Sequence, residues 1–347
     1  MKYLVNIVEE LRHRVAEGLK ITKEDASSKP VVLLEEVPSS QVEILEEPFI
    51  KVLETRPQRP QHDLFALDSS SRVIETPYVF IAIGAGSVFS RFTGRGIDVP
   101  DTASILGLGN PLCNHVVVVP EVEFDEKSLD KLRRLPGLIV ENPLGVPYTS
   151  DYNKHLILVE LRLAIEQCLL EQFHDSNLSE RGSVLLVDGP LLYPHVESEA
   201  ANSAYSESIR AVNRRRVNAL RKLAEKGVMV VGIVKRLSRS YYLSSLDPGG
   251  IAVGKVNDEA YITALIMSRY HPLDKPLLIG PLRIRHSAEN VGRIFWYIVV
   301  PRRIYPLLSG MGNYVVYRVE VLGEKPPTRA QLTTSSTTVY TLGRLCP

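Results

Sequence analysis

The eight residues from Ser183 to Pro190, SVLLVDGP, constrain the fold of this chain more than any other stretch. Four apolar residues, β-branched at both ends, run without interruption from Val184 to Val187 and are followed by a Gly-Pro turn. This pattern predicts a short strand buried on both faces of a sheet. Asp188 stands at its carboxyl end, where open α/β sheets collect ligands and metals. The alternative is a turn residue whose carboxylate accepts hydrogen bonds from nearby backbone donors.

A second strand-like stretch ends in the same way, since Phe65-Ala66-Leu67 is followed by Asp68 and three serines. This repetition favours a chemical role for both aspartates. Two carboxylates at neighbouring strand ends repel each other unless a cation lies between them. Hard oxygen ligands without Cys or nearby His favour Mg²⁺ or Mn²⁺ over Zn²⁺. Two such ions, about 4 Å apart, can activate a water and stabilise the leaving oxygen in phosphodiester cleavage.

Length and composition set the wider limits. A chain of 347 residues fits one large α/β domain with additions, or two modest domains. The formal net charge of +1 means that any nucleic-acid surface must be a local patch. Three widely spaced cysteines (Cys113, Cys168, Cys346) supply neither a zinc site nor a disulfide framework, which is typical of a reducing compartment. No segment has the apolar length of a signal peptide or membrane span, so we expect a soluble, cytoplasmic protein without a membrane partner.

The order of predicted elements indicates the fold class. The first 25 residues predict an amphipathic helix, and residues 26–62 a Pro- and Glu-rich connector. Hydrophobic periodicity then predicts strands within 63–68, 77–92 and 115–124, a helix at 153–174, a strand at 184–187, a helix at 204–226 and a strand at 226–236. This is the order of a ribonuclease-H-like α/β fold, with a mixed central sheet flanked by helices.

The rest of the chain predicts a C-terminal β-rich extension, with a helix near 257–269 and strands at 277–284, 294–300 and 313–322. We therefore expect an N-terminal helix and connector (1–60), a nuclease-like domain (61–325) and a tail (326–347).

A third acid should come from the helix 153–174, which offers Glu160, Glu166 and Glu171. The neighbouring strand rises roughly 17 Å over five residues. A helix rising about 1.5 Å per residue needs roughly eleven residues to match that height. Counting back from the helix end near His174, the estimate falls between Glu160 and Glu166 and excludes neither. Glu160 is preferred because it flanks the main apolar face; the alternative is that both are solvated helix charges.

Several cationic and aromatic residues are candidates for contacts with a nucleic acid. Lys235 ends the strand GIVK, where it can hold a phosphate or position water, or be an ordinary surface lysine. Tyr241 and Tyr242 can stack on bases or pack in the core. The helix 204–226 carries basic side chains that can contact a phosphate backbone, remain solvated or face an acidic partner: Arg210, Arg214, Arg215, Arg216, Arg221 and Lys222.

Four ordered motifs resemble one known family. ALDSSS (66–71), ELRLA (160–164), LLVDGPLL (185–192) and VVGIVKR (230–236) are similar to the NurA nuclease domain, as is the later IFWYIVVP…YRVEVL within 294–322. The resemblance implies a ribonuclease-H-like core and Mn²⁺-dependent (or Mg²⁺-dependent) action on DNA ends. It further implies 5′-to-3′ exonuclease and single-strand endonuclease activity in end resection and double-strand-break repair. It also implies a homodimer docked on a hexameric HerA-type ATPase.

Carried over residue by residue, the resemblance implies metal-binding acids at Asp68, Glu160 and Asp188, with Lys235 nearby. The family usually ends with a Tyr-Pro…His segment, whereas this tail has Tyr340 but no histidine after His286. An alternative is therefore a weakly active or inactive nuclease-fold subunit that binds the ATPase as a dimer.

A third reading is an unrelated α/β phosphohydrolase, against which stands the absence of a GxxxxGK[ST] phosphate loop. The short Gly84-Ala85-Gly86 stretch is interpreted as a strand bend.

Overall fold

The computed structural model of the protein describes residues 42–54, 63–121, 126–193, 204–237, 240–251, 256–270, 272–286, 291–302 and 314–323. The chain divides into two compact units, each drawn from separate segments. The first unit takes its described residues from Phe65–Arg181 and Glu197–Lys226, and the second from Leu33–Leu64, Gly182–Val196 and Gly227–Pro347.

The strands, in chain order, are β1 (Val42–Ile44), β2 (Ile50–Val52), β3 (Leu64–Glu75), β4 (Val79–Ser90), β5 (Gly96–Val99), β6 (Val116–Pro120), β7 (Leu138–Ile139), β8 (Val184–Asp188), β9 (Met229–Val234), β10 (Leu277–His286), β11 (Val291–Pro301) and β12 (Tyr314–Leu322). The helices are α1 (Thr102–Leu106), α2 (Glu126–Arg133), α3 (Lys154–Asp175), α4 (Ala204–Glu225), α5 (Tyr242–Leu246) and α6 (Asp258–Leu265), which continues as a π-helix over Ile266–Tyr270.

The first unit is a mixed sheet covered by α3. β3, β4 and β6 pair antiparallel in that order, β5 pairs with β4, and β7 runs parallel to β6. α3 packs on β4 and against α4. Its inner residues Ile157, Leu161, Ile165 and Leu169 recur every four residues and are fully or almost fully buried. Asn153 caps α3 by accepting hydrogen bonds from the backbone of His155 and Leu156.

The second unit is also a mixed sheet, in the order β1, β10, β11, β12, β9 and β8, with β2 also on β10. β8 and β9 are parallel, and the other pairs are antiparallel. One face packs under α5 and α6 through residues such as Tyr242, Tyr261 and Phe295. The opposite face carries a separate apolar cluster that includes Leu186 and Ile233.

The predicted α/β class with mixed sheets flanked by helices is confirmed. The ribonuclease-H-like order and the domain boundaries stay predictions. β3 extends beyond the strand predicted over 63–68, because it continues through the serines to Glu75 in unbroken pairing with β4. The three strands predicted before the long helix correspond to β3, β4 and β6, and two short helices that were not predicted, α1 and α2, also precede α3. The predicted N-terminal helix and the C-terminal tail lie outside the described residues.

The cysteine prediction is wrong. Cys113 and Cys168 form a disulfide with their Cα atoms 6.1 Å apart. It joins the loop before β6 to α3, although the two residues are 55 positions apart in sequence. Packing of α3 brings them together, and no short cysteine spacing signals the pair.

No helix in the described part of the chain is both long enough and apolar enough to cross a membrane.

Candidate active site

Asp68 lies on the exposed face of β3. Its neighbours Leu67 and Ser69 are buried, whereas Asp68 and Ser70 are exposed. Because side chains alternate along a strand, Asp68 points to the opposite face from Ser69. Its Oδ1 accepts a hydrogen bond of 2.7 Å from the backbone N–H of Ser69. Asp68 therefore presents a carboxylate on the side of β3 that α3 does not cover.

Glu166 occupies the other face of β3. The Ser69 hydroxyl donates to its Oε1 at 2.7 Å, and Arg216 Nη1 donates to its Oε2 at 2.9 Å. Glu166 and Arg216 are both fully buried. A buried carboxylate paired with an arginine is compensated in charge, whereas either partner alone would be strongly destabilising. The structure thus gives Glu166 a permanent counter-charge from α4.

Arg216 was one of the predicted phosphate contacts, and that prediction is wrong because its side chain is buried against Glu166. The remaining basic residues of α4 differ in exposure: Arg214, Arg215, Arg221 and Lys222 are exposed, whereas Arg210 is half-buried. Arg215 Nη2 lies 3.4 Å from Glu171 Oε1, so part of this charge is balanced within the first unit.

Glu160 lies on α3, six residues before Glu166, and its environment differs from that of Glu166. It is 1% exposed and is surrounded by hydroxyl groups. Tyr148 donates to its Oε2 at 2.8 Å, and Tyr152 and Ser208 donate to its Oε1 at 2.7 Å each. Burial raises the pKa of Glu160 above its ordinary value, while the three hydroxyl donors act in the opposite direction. Burial also raises the pKa of Tyr148, and the adjacent carboxylate adds to that effect.

Asp188 and Lys235 meet in the second unit. Asp188 ends β8 opposite Ile233 of the parallel strand β9, so Lys235, two residues later, reaches the same sheet edge. Lys235 Nζ lies 2.8 Å from Asp188 Oδ2. The side chains are 56% and 34% exposed, respectively, so both remain accessible to a ligand.

A match to a protein-family model identifies the family of this chain. The model of the NurA domain matches residues 62–333, which is well over half of the chain and contains all four predicted site residues. The chain belongs to the NurA family. This confirms the resemblance and sets aside the alternative of an unrelated α/β phosphohydrolase.

Solved NurA structures overlap with the chain only weakly. The crystal structure of the NurA nuclease from Sulfolobus solfataricus has 9% identity and a TM-score of 0.40, covering 82% of this chain and 73% of that one. A NurA crystal structure with dAMP and manganese has 10% identity and a TM-score of 0.37, covering 79% and 80%. Among curated proteins, no match was found. Membership of the NurA family therefore rests on the domain match.

The donor chemistry of this NurA chain suits Mn²⁺ or Mg²⁺, because its candidate ligands are carboxylate oxygens. Within the described ranges, however, no three His, Cys, Asp or Glu side chains are arranged to hold a metal ion. Within the first unit, Asp68 and Glu166 lie on opposite faces of β3. Within the second unit, Asp188 is paired with Lys235.

Some polar residues near the candidate acids cannot be recognised from the sequence. Tyr148, Tyr152 and Ser208 surround Glu160, and no local pattern marks them. By contrast, Arg318 and Glu320 stand two residues apart in the apolar strand YVVYRVEVL, and that spacing is a signal for a buried charged pair.

The two tyrosines considered for base stacking, Tyr241 and Tyr242, differ in burial. Tyr242 is 3% exposed and packs against Phe295, so it belongs to the core, whereas Tyr241 is half-buried. Tyr340, the tyrosine of the C-terminal tail, lies outside the described residues.

Proposed function

We propose that this NurA-family chain is a metal-dependent DNA nuclease that acts on phosphodiester bonds with Mn²⁺ or Mg²⁺. The observation that carries the proposal is the NurA domain match over residues 62–333. In this proposal Asp68, Glu160 and Asp188 are the metal-binding acids and Lys235 acts beside them. The wider role is 5′-to-3′ exonuclease and single-strand endonuclease activity in DNA end resection. The cytoplasmic protein would act there as a homodimer with a HerA-type hexameric ATPase.

Electrostatics supports Glu160 over Glu166 as the acid from α3. Glu166 already has a buried arginine at 2.9 Å, so a cation binding there would have to displace that partner or share its charge. Glu160 is held by neutral hydroxyls, which offset only part of its burial cost, as its raised pKa indicates. A divalent cation would therefore gain more at Glu160.

Lys235 suits a role beside an anionic substrate. Its ammonium group is 56% exposed at the strand edge and lies 2.8 Å from Asp188. A compact, hydrated ammonium of this kind is a common point-charge partner for phosphate. We assign it to the scissile phosphate or to the attacking water.

The first test is cleavage of linear double-stranded and single-stranded DNA by the purified full chain with Mn²⁺, Mg²⁺ or a chelator. We expect cleavage that requires the metal and falls roughly a hundredfold or more in Asp68→Ala and in Asp188→Ala. Asp98→Ala is the matched control, because Asp98 is an exposed acid on β5, which pairs with β4 and not with β3. A wild-type protein inert with both metals, or active-site variants as fast as Asp98→Ala, would refute the proposal.

A second candidate is a nuclease-fold subunit without activity that binds the ATPase. The observation in its favour is that the described residues form no three-ligand metal centre. It predicts ATPase binding that survives in the Asp68→Ala/Asp188→Ala double variant and no cleavage by the wild type. Running the cleavage assay with and without added ATPase separates the two candidates, since only the nuclease proposal requires metal-dependent products.

A further inference from the structure

Glu320 connects β12 to the turn that follows Asp188. Its side chain is fully buried, and its Oε1 accepts a hydrogen bond of 2.5 Å from the backbone N–H of Leu191. Leu191 is only three residues after Asp188 and is itself fully buried. A side chain two strands away in the sheet thus satisfies a backbone donor next to the candidate catalytic acid.

Gly232 on β9 makes this contact possible. It pairs with Glu320 on one side and with Val187 on the other, so it lies directly on the path between the two strands. A Cβ atom at position 232 would lie 2.9 Å from Glu320 Cγ and 2.9 Å from the carbonyl oxygen of Gly189. Real Cβ atoms essentially never approach this closely, so any side chain at 232 would have to displace Glu320 or the turn.

Two buried arginines hold the carboxylate in place. Arg293 Nη1 lies 3.2 Å and Arg318 Nε 3.8 Å from Glu320 Oε2. Arg318 also donates to the Ser240 hydroxyl at 2.9 Å, and Arg293 donates to the Tyr242 hydroxyl at 3.2 Å. The two arginines offset the cost of burying the Glu320 carboxylate, and a carboxylate accepts a stronger hydrogen bond from the Leu191 N–H than a neutral oxygen would.

The turn is fixed at two points. Gly189 adopts φ of +128°, which favours glycine, and its N–H donates to the carbonyl of Ile233 at 2.9 Å. Leu191 is then fixed by Glu320 on the other side of Pro190. Leu186 packs in the apolar cluster on one face of the sheet, so by strand alternation Asp188 points to that face. Glu320 approaches from the opposite face and leaves the carboxylate of Asp188 accessible.

We infer that Glu320 is a positioning residue for Asp188 and acts through the Leu191 backbone. A glycine at position 232 is required for the Glu320 side chain to reach the Leu191 N–H. The inference rests on the proposed nuclease function for its catalytic consequence only. Asp188 contacts Lys235 at the sheet edge, and the backbone that follows Asp188 is held by the hydrogen bonds of Gly189 and Leu191. Loss of the Glu320 contact would release that backbone without altering Asp188 itself.

The direct test is hydrogen exchange at the Leu191 amide in the full chain. Glu320→Ala removes the acceptor, whereas Gly232→Ala displaces the Glu320 side chain and leaves all three charges of the Arg–Glu network in place. Val316→Ala is the control, because Val316 is a buried residue on the same strand that packs in the apolar core, and its truncation costs only core packing. At matched free energy of unfolding, we expect Leu191 to exchange at least about tenfold faster in the first two variants than in Val316→Ala.

The catalytic test uses the same proteins. We expect kcat to fall about 10- to 100-fold in Glu320→Ala and Gly232→Ala, with KM for DNA unchanged, since misplacing a catalytic group affects turnover. Glu320→Gln, which keeps an acceptor oxygen, should retain more of both Leu191 protection and turnover than Glu320→Ala. Equal protection of Leu191 in Gly232→Ala and Val316→Ala, or equal turnover, would overturn the inference. If the wild type cuts no DNA, the nuclease proposal fails while amide exchange still decides whether Glu320 holds the turn.

Discussion

At the scale of single residues, two glutamates on α3 show how packing separates the properties of identical side chains. Glu166 is paired with Arg216, whereas Glu160 is surrounded by three neutral hydroxyls. Both are almost completely buried. Of the two, only Glu160 lacks a cationic partner among the described residues, and burial raises its pKa above the ordinary value.

We expect Glu160 to lower the stability of the protein as pH rises. Its pKa is raised in the folded state, so its contribution is fully present below the ordinary pKa of 4.5 and is lost as pH rises through the folded pKa. Relative to Glu160→Gln, which cannot titrate, the free energy of unfolding should fall by at most about 1.4 kcal/mol per pH unit in that window. Urea unfolding between pH 4 and pH 8 measures this difference.

The control for this experiment is Glu180→Gln, because Glu180 is exposed. It removes an exposed carboxylate and leaves the buried site intact. A stability difference between the wild type and Glu160→Gln that does not change with pH would contradict the effect of burial on Glu160.

The sequence predicts some of these residue environments and not others. Asp188 and Lys235 follow two apolar runs, and parallel pairing of such strands is enough to bring their ends to one edge. The hydroxyls around Glu160 come from a loop and from α4, and only the tertiary packing of α3 brings them together. Arg216 was equally hidden, because it lies within a run of three arginines on α4 and only burial distinguishes it from its neighbours.

At the scale of elements, the close approach of α3 to β4 explains the glycines at 84 and 86. A Cβ at Gly86 would lie 2.7 Å from Ile165 Cγ2, 2.9 Å from Leu169 Cδ1 and 3.1 Å from the backbone oxygen of Asp68. Pairing of β3 with β4 runs unbroken past both glycines. The glycines therefore provide space for the helix that carries the candidate acids.

Gly86→Ala should destabilise the protein by about 1–3 kcal/mol, because a methyl group would overpack the interface between β4 and α3. Thermal or urea unfolding measures the loss. Gly109→Ala serves as the control, since no atom lies within 4 Å of a Cβ at that position. Equal stability of the two variants would contradict the packing argument.

Helices and strands were predicted correctly where the periodic apolar pattern covers many residues, and were missed where it covers few. α3 was predicted to within one residue because its apolar positions extend over six turns and Asn153 caps it. α1 spans five residues, too few for a periodic pattern, although its Asp101 cap and the left-handed Gly107 at its end were readable signals. β3 was predicted too short because serines are typical of turns, while cross-strand pairing with β4 is what keeps them extended.

At the scale of the whole molecule, the chain passes back and forth between the two units. The described residues within Phe65–Arg181 belong to the first unit, those within Gly182–Val196 to the second, those within Glu197–Lys226 to the first and those within Gly227–Pro347 to the second. No single cut in the sequence can separate two such units. Composition and length leave this arrangement open, because interleaved units and consecutive domains can have the same residue content.

The disulfide should stabilise the folded chain measurably. Closing a loop of 55 residues removes conformational entropy from the unfolded chain, worth about 4 kcal/mol in the chain-entropy model. Thermal unfolding with and without a reductant, and of Cys113→Ser/Cys168→Ser, should show a clear decrease in Tm. Cys346→Ser, which leaves the pair intact, is the control. An unchanged Tm on reduction would show that the covalent link contributes nothing.

The same bond bears on how the protein is prepared. A sample kept in dithiothreitol and one kept in air are different covalent species, because α3 is tethered to the loop before β6 only in the second. Since α3 carries both candidate glutamates, enzymologists comparing two batches need the thiol count of each before they ascribe a change in rate to DNA, metal or mutation.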